Sequence, residues 1–556
     1  MQSRLRSCAG GALVATAAAL PFELEATLPL GPLRLSSVEI FLYATLALWG
    51  ASVVVWPAAL RSAKRDPAHR AAAAMALVML ASAAVAPAFR AAAIKFTLRS
   101  WGGILLFAAS ADLLRAPQLR RRVLQALVAG ASAAATLAIA EAYLPRTWVL
   151  LRPFHGQVFQ ALGITRGSGP FQFPNIAAMA FEAALPVALG LGTGPLAAGV
   201  SVLLLTGVVA TGSRAGLVVA CLALAALAVP RLRDVRSRAT ARGLLIAAGL
   251  VVALGLATGG ALATRLAFWR EGSWYRAVIT PAGQQIDRLP ARLPVGGQMT
   301  APIRVQNQGG FTWPHQPPSQ VRLSYHWLDA VTGEVLVRDG LRTPLPADLP
   351  PGGELVLRAA VRAPARAGRY VLEWDAVQED VTWFHAPGAG AFHQLVLVGD
   401  VSSAGWTGLR PGLAFGPPAP PSRLELWRAA TAAFRARPLL GVGPDNFRHV
   451  YAGYLRLPAA DERMHANNLY FETLADLGIA GLCALAALIL ALARAARRVT
   501  AVRDEPLPYG VALALGAFLL HGALDYFFEF TPTYAMFWLL AGALVALDRQ
   551  LKDTFP

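Results

Sequence analysis

The sequence predicts an all-α polytopic membrane protein of about 12 transmembrane helices, carrying an inserted all-β sandwich domain on its outer side. Three observations predict it. The 556 residues are 56% hydrophobic and 15% charged, with a mean hydropathy of +0.48, whereas soluble domains carry about 25% charged residues. The apolar residues fall in Leu-, Ala-, Val- and Gly-rich runs close to the ~20 residues that cross a bilayer, and such runs satisfy their backbone in lipid only as helices. One long outer stretch, 264–467, breaks the series, and within it 279–400 alternates apolar and polar residues as strands do.

The candidate spans are 8–22, 38–60, 70–87, 95–114, 123–144, 175–192, 195–211, 214–230, 243–263, 468–493, 508–527 and 533–548. The first resembles a signal peptide, but a retained helix fits better because many spans follow it. The basic connectors are MQSRLR, RSAKRDPAHR at 61–70, RAPQLRRR at 115–122, RLRDVRSRATAR at 231–242, ARAARRV at 493–499 and the tail DRQLK. Counting spans from a cytoplasmic N-terminus puts all of them on the cytoplasmic face, as the positive-inside rule requires. The other face receives 23–37, 88–94, 145–174, 212–213, 264–467 and 528–532. The formal charge of +18 is thereby spent on orientation. No recognition motif points to nucleic acid. Cys8, Cys221 and Cys483 lie in or beside apolar runs without metal-site spacing and read as small buried hydrophobes.

The organisation that follows is residues 1–264 for helices 1–9, 265–278 for a connector, 279–400 for the sandwich, 401–467 for a Gly/Pro-rich linker with an amphipathic stretch, and 468–556 for helices 10–12. In the sandwich, Leu323, Tyr325 and Trp327 alternate, as do Tyr370, Leu372 and Trp374, and Pro/Gly turns separate the strands. This pattern indicates an antiparallel sandwich of immunoglobulin-like size. The alternating aromatics read as core, whereas the less regular Trp313, Trp383 and Phe384 could stack on glycan.

Candidate functional residues are polar groups at the outer face that hydration does not explain. In RGSGPFQFPN, Arg166 sits among glycines and prolines and Asn175 opens a span, where Asn is a good helix cap. Arg166 reads either as an arginine snorkelling to headgroups or as a ligand-binding group. In ATGSRAG, Arg214 stands at the tip of a very short hairpin and reads either as an orientation-setting turn arginine, against the charge bias of its face, or as a functional group, since boundary arginines are costly. In DERMHANNLYFE, His465 precedes the tenth span, where it reads either as an interfacial residue or as a catalytic group, and Asn467 or Asn468 can cap the helix. Two arginine forks suit phosphate oxygens and would stabilise a diphosphate leaving group as charge builds on it. A histidine beside them could take a proton from an attacking hydroxyl.

The ordered set RGSGPFxxPN, TGSR, GVGPDNF and HANNLYFExLADLGIAG resembles the O-antigen ligase and polymerase superfamily of bacterial membranes, over about 140–275 and 420–550. The resemblance implies a membrane-embedded, metal-independent glycosyltransferase of cell-surface polysaccharide biosynthesis that uses no cofactor. It implies transfer of a glycan from undecaprenyl diphosphate to a lipid, glycan or protein acceptor, among membrane lipids, at the periplasmic face of the inner membrane. Arg166 and Arg214 match the arginines thought to hold the donor diphosphate, and His465 matches the first histidine of an H-x-H-N motif. Asn467 stands where the second histidine, usually assigned as base, would be, so either His465 takes over as the candidate base or the reaction relies on positioning and electrostatics. Asn467, Asn468, Asn175 and Arg423 complete the expected substrate-binding set.

Three rivals have sequence support. A metal-dependent transferase would use outer-loop acids such as Glu23 and Glu25, which otherwise read as solvated loop charges. A transporter would use ionisable groups within spans, for which Glu182, His521 and Asp525 are available. A non-catalytic scaffold would only present the β domain.

Overall fold

The computed structural model describes residues 2–30, 33–55, 66–161, 164–192, 194–232, 237–257, 261–266, 274–282, 291–317, 320–379, 382–384, 392–402, 421–457, 460–501 and 506–554. Two compact units form: one of Met1–Gly156, Arg166–Ala263 and Pro421–Pro556, the other of Gln157–Thr165 and Thr264–Pro420.

The first unit is helical. Its helices are α1 (Gln2–Ala19), α2 (Ser37–Val55), α3 (Pro67–Ala84), α4 (Arg90–Leu113), α5 (Pro117–Tyr143), α6 (Pro174–Leu191), α7 (Pro195–Thr211), α8 (Arg214–Arg231), α9 (Arg238–Ala257), α10 (Arg423–Ala436), α11 (Phe447–Leu455), α12 (Leu469–Ala501), α13 (Pro506–His521) and α14 (Thr531–Thr554). Proline opens α3, α5, α6 and α7 at the position where its missing N–H costs nothing. Among the described residues, nine helices are long and apolar enough to cross a membrane, and α7 and α13 are shorter apolar helices. This is a multi-pass membrane protein. The apolar stretch of α14 is buried along its whole length and that of α6 nearly so, which puts both at the centre of the bundle.

Side-chain contacts sort the helix ends into two sets. At one, Arg6 pairs with Asp112 at 3.0 Å, Arg549 with Asp66 at 3.5 Å and Arg498 with Asp548 at 2.6 Å. At the other meet the starts of α2, α6, α8, α12 and α14. Parts of the expected spans 38–60 and 243–263, of the basic connectors 61–70 and 231–242, and residues 403–420 of the linker lie outside the described residues.

Helix α12 is broken. Gly478 has φ +64 and ψ −159 within it, a conformation that glycine alone adopts freely. The segment Pro438–Gly443 crosses at the break: Ile479 N donates to Pro438 O at 2.8 Å, and Val442 N and Gly443 N donate to Ala475 O and Asp476 O, both at 3.0 Å. A Cβ on Gly478 would lie 2.6 Å from Leu439 backbone atoms. Pro438 and the start of the GVGPDNF motif therefore satisfy backbone groups that the break frees, as buried polar groups require.

The second unit is a sandwich. Its strands are β1 (Ala277–Pro281), β2 (Ala291–Leu293), β3 (Gln298–Asn307), β4 (Val321–Asp329), β5 (Val335–Val337), β6 (Thr343–Pro344), β7 (Glu354–Arg362), β8 (Gly368–Gln378), β9 (Thr382–Trp383) and β10 (Phe392–Val398). One sheet runs β6-β4-β8-β10-β2, with β5 beside β4 and β9 beside β8, and the other runs β7-β3-β1. The expected all-antiparallel pairing holds except that β10 and β2 are parallel, Val396 facing Ala291. A parallel pair needs a long crossover, and the intervening strands provide it. Trp327, Tyr325, Trp374, Leu323 and Leu372 fill the core, in the expected alternation.

The expectations for Trp313 and Phe384, for the three cysteines and for Glu23 are corrected. Trp313 and Phe384 are 0% and 2% exposed and pack edge-to-face in that core, so their faces are closed to glycan. Trp383 is half-buried and lies over His326 on the other side of its sheet. Cys8, Cys221 and Cys483 are exposed on helix surfaces, where a bilayer-facing thiol gains nothing from burial in protein. Glu25 is exposed but Glu23 is buried. Burial raises the Glu23 pKa, partly offset by Ser36 and Arg99.

Candidate functional site

The RGSG loop is held from below. Glu141, near the end of α5, accepts from Ser168 N at 2.6 Å and Gly169 N at 2.8 Å through Oε2. His155 Nε2 lies 2.9 Å from Gly169 O and 3.2 Å from Ser168 Oγ. A Cβ on Gly167 would meet Ala138 O at 2.0 Å, so only glycine lets the loop settle on α5. The loop thereby presents Arg166. Its Nε donates to Thr211 O at 2.8 Å and its Nη2 to Asn175 Oδ1 at 2.8 Å. Asn175 Nδ2 donates in turn to Asp525 Oδ2 at 2.8 Å, and Arg423 reaches the same oxygen at 3.9 Å.

Asn175 is therefore no cap, contrary to expectation. It is the second residue of α6, Phe173 holds the cap position without a side-chain bond, and the amide is committed to linking Arg166 with Asp525. Arg214 is the first residue of α8, whose cap is Ser213 with Oγ accepting from Gly216 N at 3.2 Å. A cation at a helix N-terminus opposes the helix dipole, and an anion bound there would satisfy both the arginine and the terminal N–H groups.

The second cluster surrounds His465. Its Nδ1 is 2.8 Å from Glu472 Oε1, and Glu472 Oε2 accepts from Ala466 N at 2.6 Å. Its Nε2 lies 2.9 Å from Glu529 Oε2, in an ion pair. Burial alone would drive the proton off His465, but Glu472 first and then Glu529 outweigh it and hold the pKa well above the ordinary histidine value. Burial also raises Glu529, yet His465 and Arg448 bring it below the usual carboxylate value. Arg448 stands 3.7 Å from Glu529 and 2.7 Å from Asp445. Burial pushes Asp445 up to about 6 against the opposing charges of Arg448 and His465.

Asn468 caps α12, its Oδ1 accepting from Tyr470 N at 2.9 Å and Phe471 N at 3.0 Å, while its Nδ2 donates to Ala523 O at 2.6 Å. Asn467 takes a left-handed turn, φ +49, which Asn tolerates better than most residues. The turn aims His465 back toward Glu472 and Glu529.

The two clusters share one loop, 522–530. Asp525 belongs to the arginine cluster, Tyr526 packs its ring 5.1 Å from His465, and Glu529 faces the imidazole. Arg99 fixes the end of that loop, donating to Glu529 O at 3.3 Å, to Glu39 Oε1 at 2.8 Å and to the Thr531 hydroxyl. The structure thus joins Arg166, Asn175 and Arg423 in one cluster and His465 and Asn468 in the other. Arg214 follows the Thr211 carbonyl that anchors Arg166 by three residues.

Sequence reading missed Glu472, Glu529, Arg448, Arg99, Glu141 and His155. Arg99, Glu141 and Glu472 lie inside apolar spans, where an ionisable residue is a functional candidate by default. Glu529 and Arg448 become visible only once the loops are brought together.

Residues 415–486 match the family described as O-antigen ligase. The matched segment contains α10, α11, the GVGPDNF crossing, His465, Glu472 and the break in α12. No curated protein sequence matches the chain. The family match supports the O-antigen ligase/polymerase superfamily, and with it glycosyl transfer of that general kind.

Proposed function

We propose, from a chain whose residues 415–486 carry the O-antigen ligase domain, that it transfers a glycan from an undecaprenyl-diphosphate-linked donor to an acceptor hydroxyl. The reaction takes place at the periplasmic face of the bacterial inner membrane, in cell-surface polysaccharide biosynthesis, and the acceptor is a lipid, a growing glycan or a protein. The observation that carries this reading is the docking of Arg166 on Thr211 O at 2.8 Å, which joins one arginine to the short hairpin that presents Arg214.

The two guanidinium groups would grip the diphosphate oxygens. Their hold strengthens as the glycosidic bond breaks and charge collects on the leaving group, which lowers the barrier rather than only the binding energy. Asn175 and Arg423 keep Asp525 engaged, so its charge is partly neutralised beside an anionic ligand. His465, paired on both sides with carboxylates, enters the reaction already protonated and acts as a fixed positive charge.

A second reading, a polytopic transporter of lipid-linked or small polar substrate, draws on the buried pair of His521 and Glu182, Nδ1 to Oε1 2.9 Å. Mass analysis of lipid-linked glycans in a strain deleted for this gene separates the two. The transferase reading predicts that undecaprenyl-diphosphate-linked glycan accumulates on the periplasmic leaflet. Single repeat units would identify a polymerase, and full-length unattached polymer a ligase. Donor confined to the cytoplasmic leaflet would support transport, and unchanged donor levels would overturn the transferase.

A further inference from the structure

We propose that Glu529 is the catalytic base that removes the proton from the acceptor hydroxyl, an assignment that rests on the glycosyl-transfer reading above. His465 is poorly suited to that role, because Glu472 lies 2.8 Å from Nδ1 and Glu529 2.9 Å from Nε2. An imidazole flanked by two carboxylates holds its proton. Among the described residues, the other acids of this cluster are buried, which keeps them from an incoming acceptor, and most of their oxygens are committed. Glu472 spends one oxygen on His465 and the other on Ala466 N. Asp476 accepts from Asp445 N at 2.7 Å and Phe447 N at 2.9 Å. Asp445 is 5% exposed and pairs with Arg448 at 2.7 Å.

Glu529 differs in access and in commitment. Its side chain is 25% exposed, against 1% for Glu472. Oε2 faces Nε2 at 2.9 Å, whereas Oε1 comes no closer to Arg448 than 3.7 Å, beyond hydrogen-bond reach, so Oε1 keeps lone pairs for an incoming proton. Arg99 holds the Glu529 carbonyl at 3.3 Å and fixes the backbone that aims the carboxylate. The neighbouring positive charges keep Glu529 ionised at neutral pH. A base weakened in this way takes the proton late, after the new bond has made the hydroxyl acidic.

The step balances without a co-reactant. The acceptor oxygen forms a bond to the anomeric carbon and the bond from that carbon to the diphosphate oxygen breaks. The diphosphate leaves with the bonding electrons, and the acceptor proton passes to Glu529. Azide offers a discriminating probe because it attacks as an anion and carries no proton to remove.

The test uses the purified full-length protein, lipid-linked glycan extracted from the deletion strain as donor, and membrane extract from that strain as the source of hydroxyl acceptor. Glu529→Gln and Glu529→Ala are expected to lose transfer to the hydroxyl acceptor by about 100-fold or more. With azide added, Glu529→Ala is expected to form glycosyl azide about tenfold faster than wild type, because removing the carboxylate admits the anion. Transfer by Glu529→Gln within about twofold of wild type would overturn the assignment. So would Glu529→Ala that binds donor normally yet yields no glycosyl azide. A wild-type protein that releases diphosphate to neither hydroxyl nor azide would instead sink the transferase reading itself.

Discussion

Glu472 holds His465 twice, through Oε1 at 2.8 Å from the ring Nδ1 and through Oε2 at 2.6 Å from the amide that follows the histidine. One carboxylate thus sets both the rotamer of the ring and the path of the chain into the Asn467 turn. Glu472→Gln keeps the shape and removes the charge, leaving His465 buried with weaker compensation. The expected result is a loss of about 3 kcal/mol in stability, the scale for breaking a buried pair, and a fall in kcat. Thermal unfolding in detergent and transfer kinetics check both, and an unchanged melting temperature would contradict the pairing.

The same pair fixes a pH dependence. The folded-state pKa of His465 is raised above its ordinary value because the two carboxylates outweigh burial. The stability it contributes is therefore complete below the unfolded value of about 6.5 and is lost as pH rises through the higher folded value. The difference in melting temperature between wild type and His465→Gln should be widest near pH 6 and narrow toward pH 9. A difference that widens with rising pH would show that the ring is neutral.

Glu141 acts on Arg166 at a distance, by holding Ser168 N and Gly169 N at 2.6 and 2.8 Å. Glu141→Gln should loosen the loop that carries Arg166, raising the KM for donor about tenfold, near 1.4 kcal/mol, with a smaller effect on kcat. A kcat loss with unchanged KM would assign Glu141 to the chemistry instead.

Gly478 tests the broken helix. Its φ is +64, and Leu439 backbone atoms lie 2.6 Å from where a Cβ would sit, so Gly478→Ala is strained and crowded at once. A destabilisation of at least about 1 kcal/mol is expected, read as a lower melting temperature, whereas Gly249→Ala, where a Cβ meets nothing within 4 Å, should leave it unchanged.

Much of the architecture was legible because lipid makes helices obligatory and because large apolar residues recur at every second position over most of β4 and β8. The arginines were legible for the same reason, since Arg214 interrupts an apolar stretch where a charge is costly. Their partners were not. Asn175 looked like a cap because it opens a helix, and nothing in its local sequence reveals that Asp525, 350 positions away, takes its amide. The pairing of His465 with Glu529 likewise depends on a loop between two distant spans. Glu472 was closer to view, seven residues from His465 at the start of an apolar run, and the left-handed turn at Asn467 is what folds one back on the other.

The central claim is that Arg166 and Arg214 hold a lipid-linked diphosphate during glycan transfer. It is tested most directly by complementing the deletion strain with Arg166→Ala or Arg214→Ala, each checked for wild-type abundance in the membrane, and measuring undecaprenyl-diphosphate-linked glycan by mass spectrometry. Each variant should leave the donor accumulated, as in the uncomplemented strain. Donor returned to wild-type levels by both variants would contradict the claim.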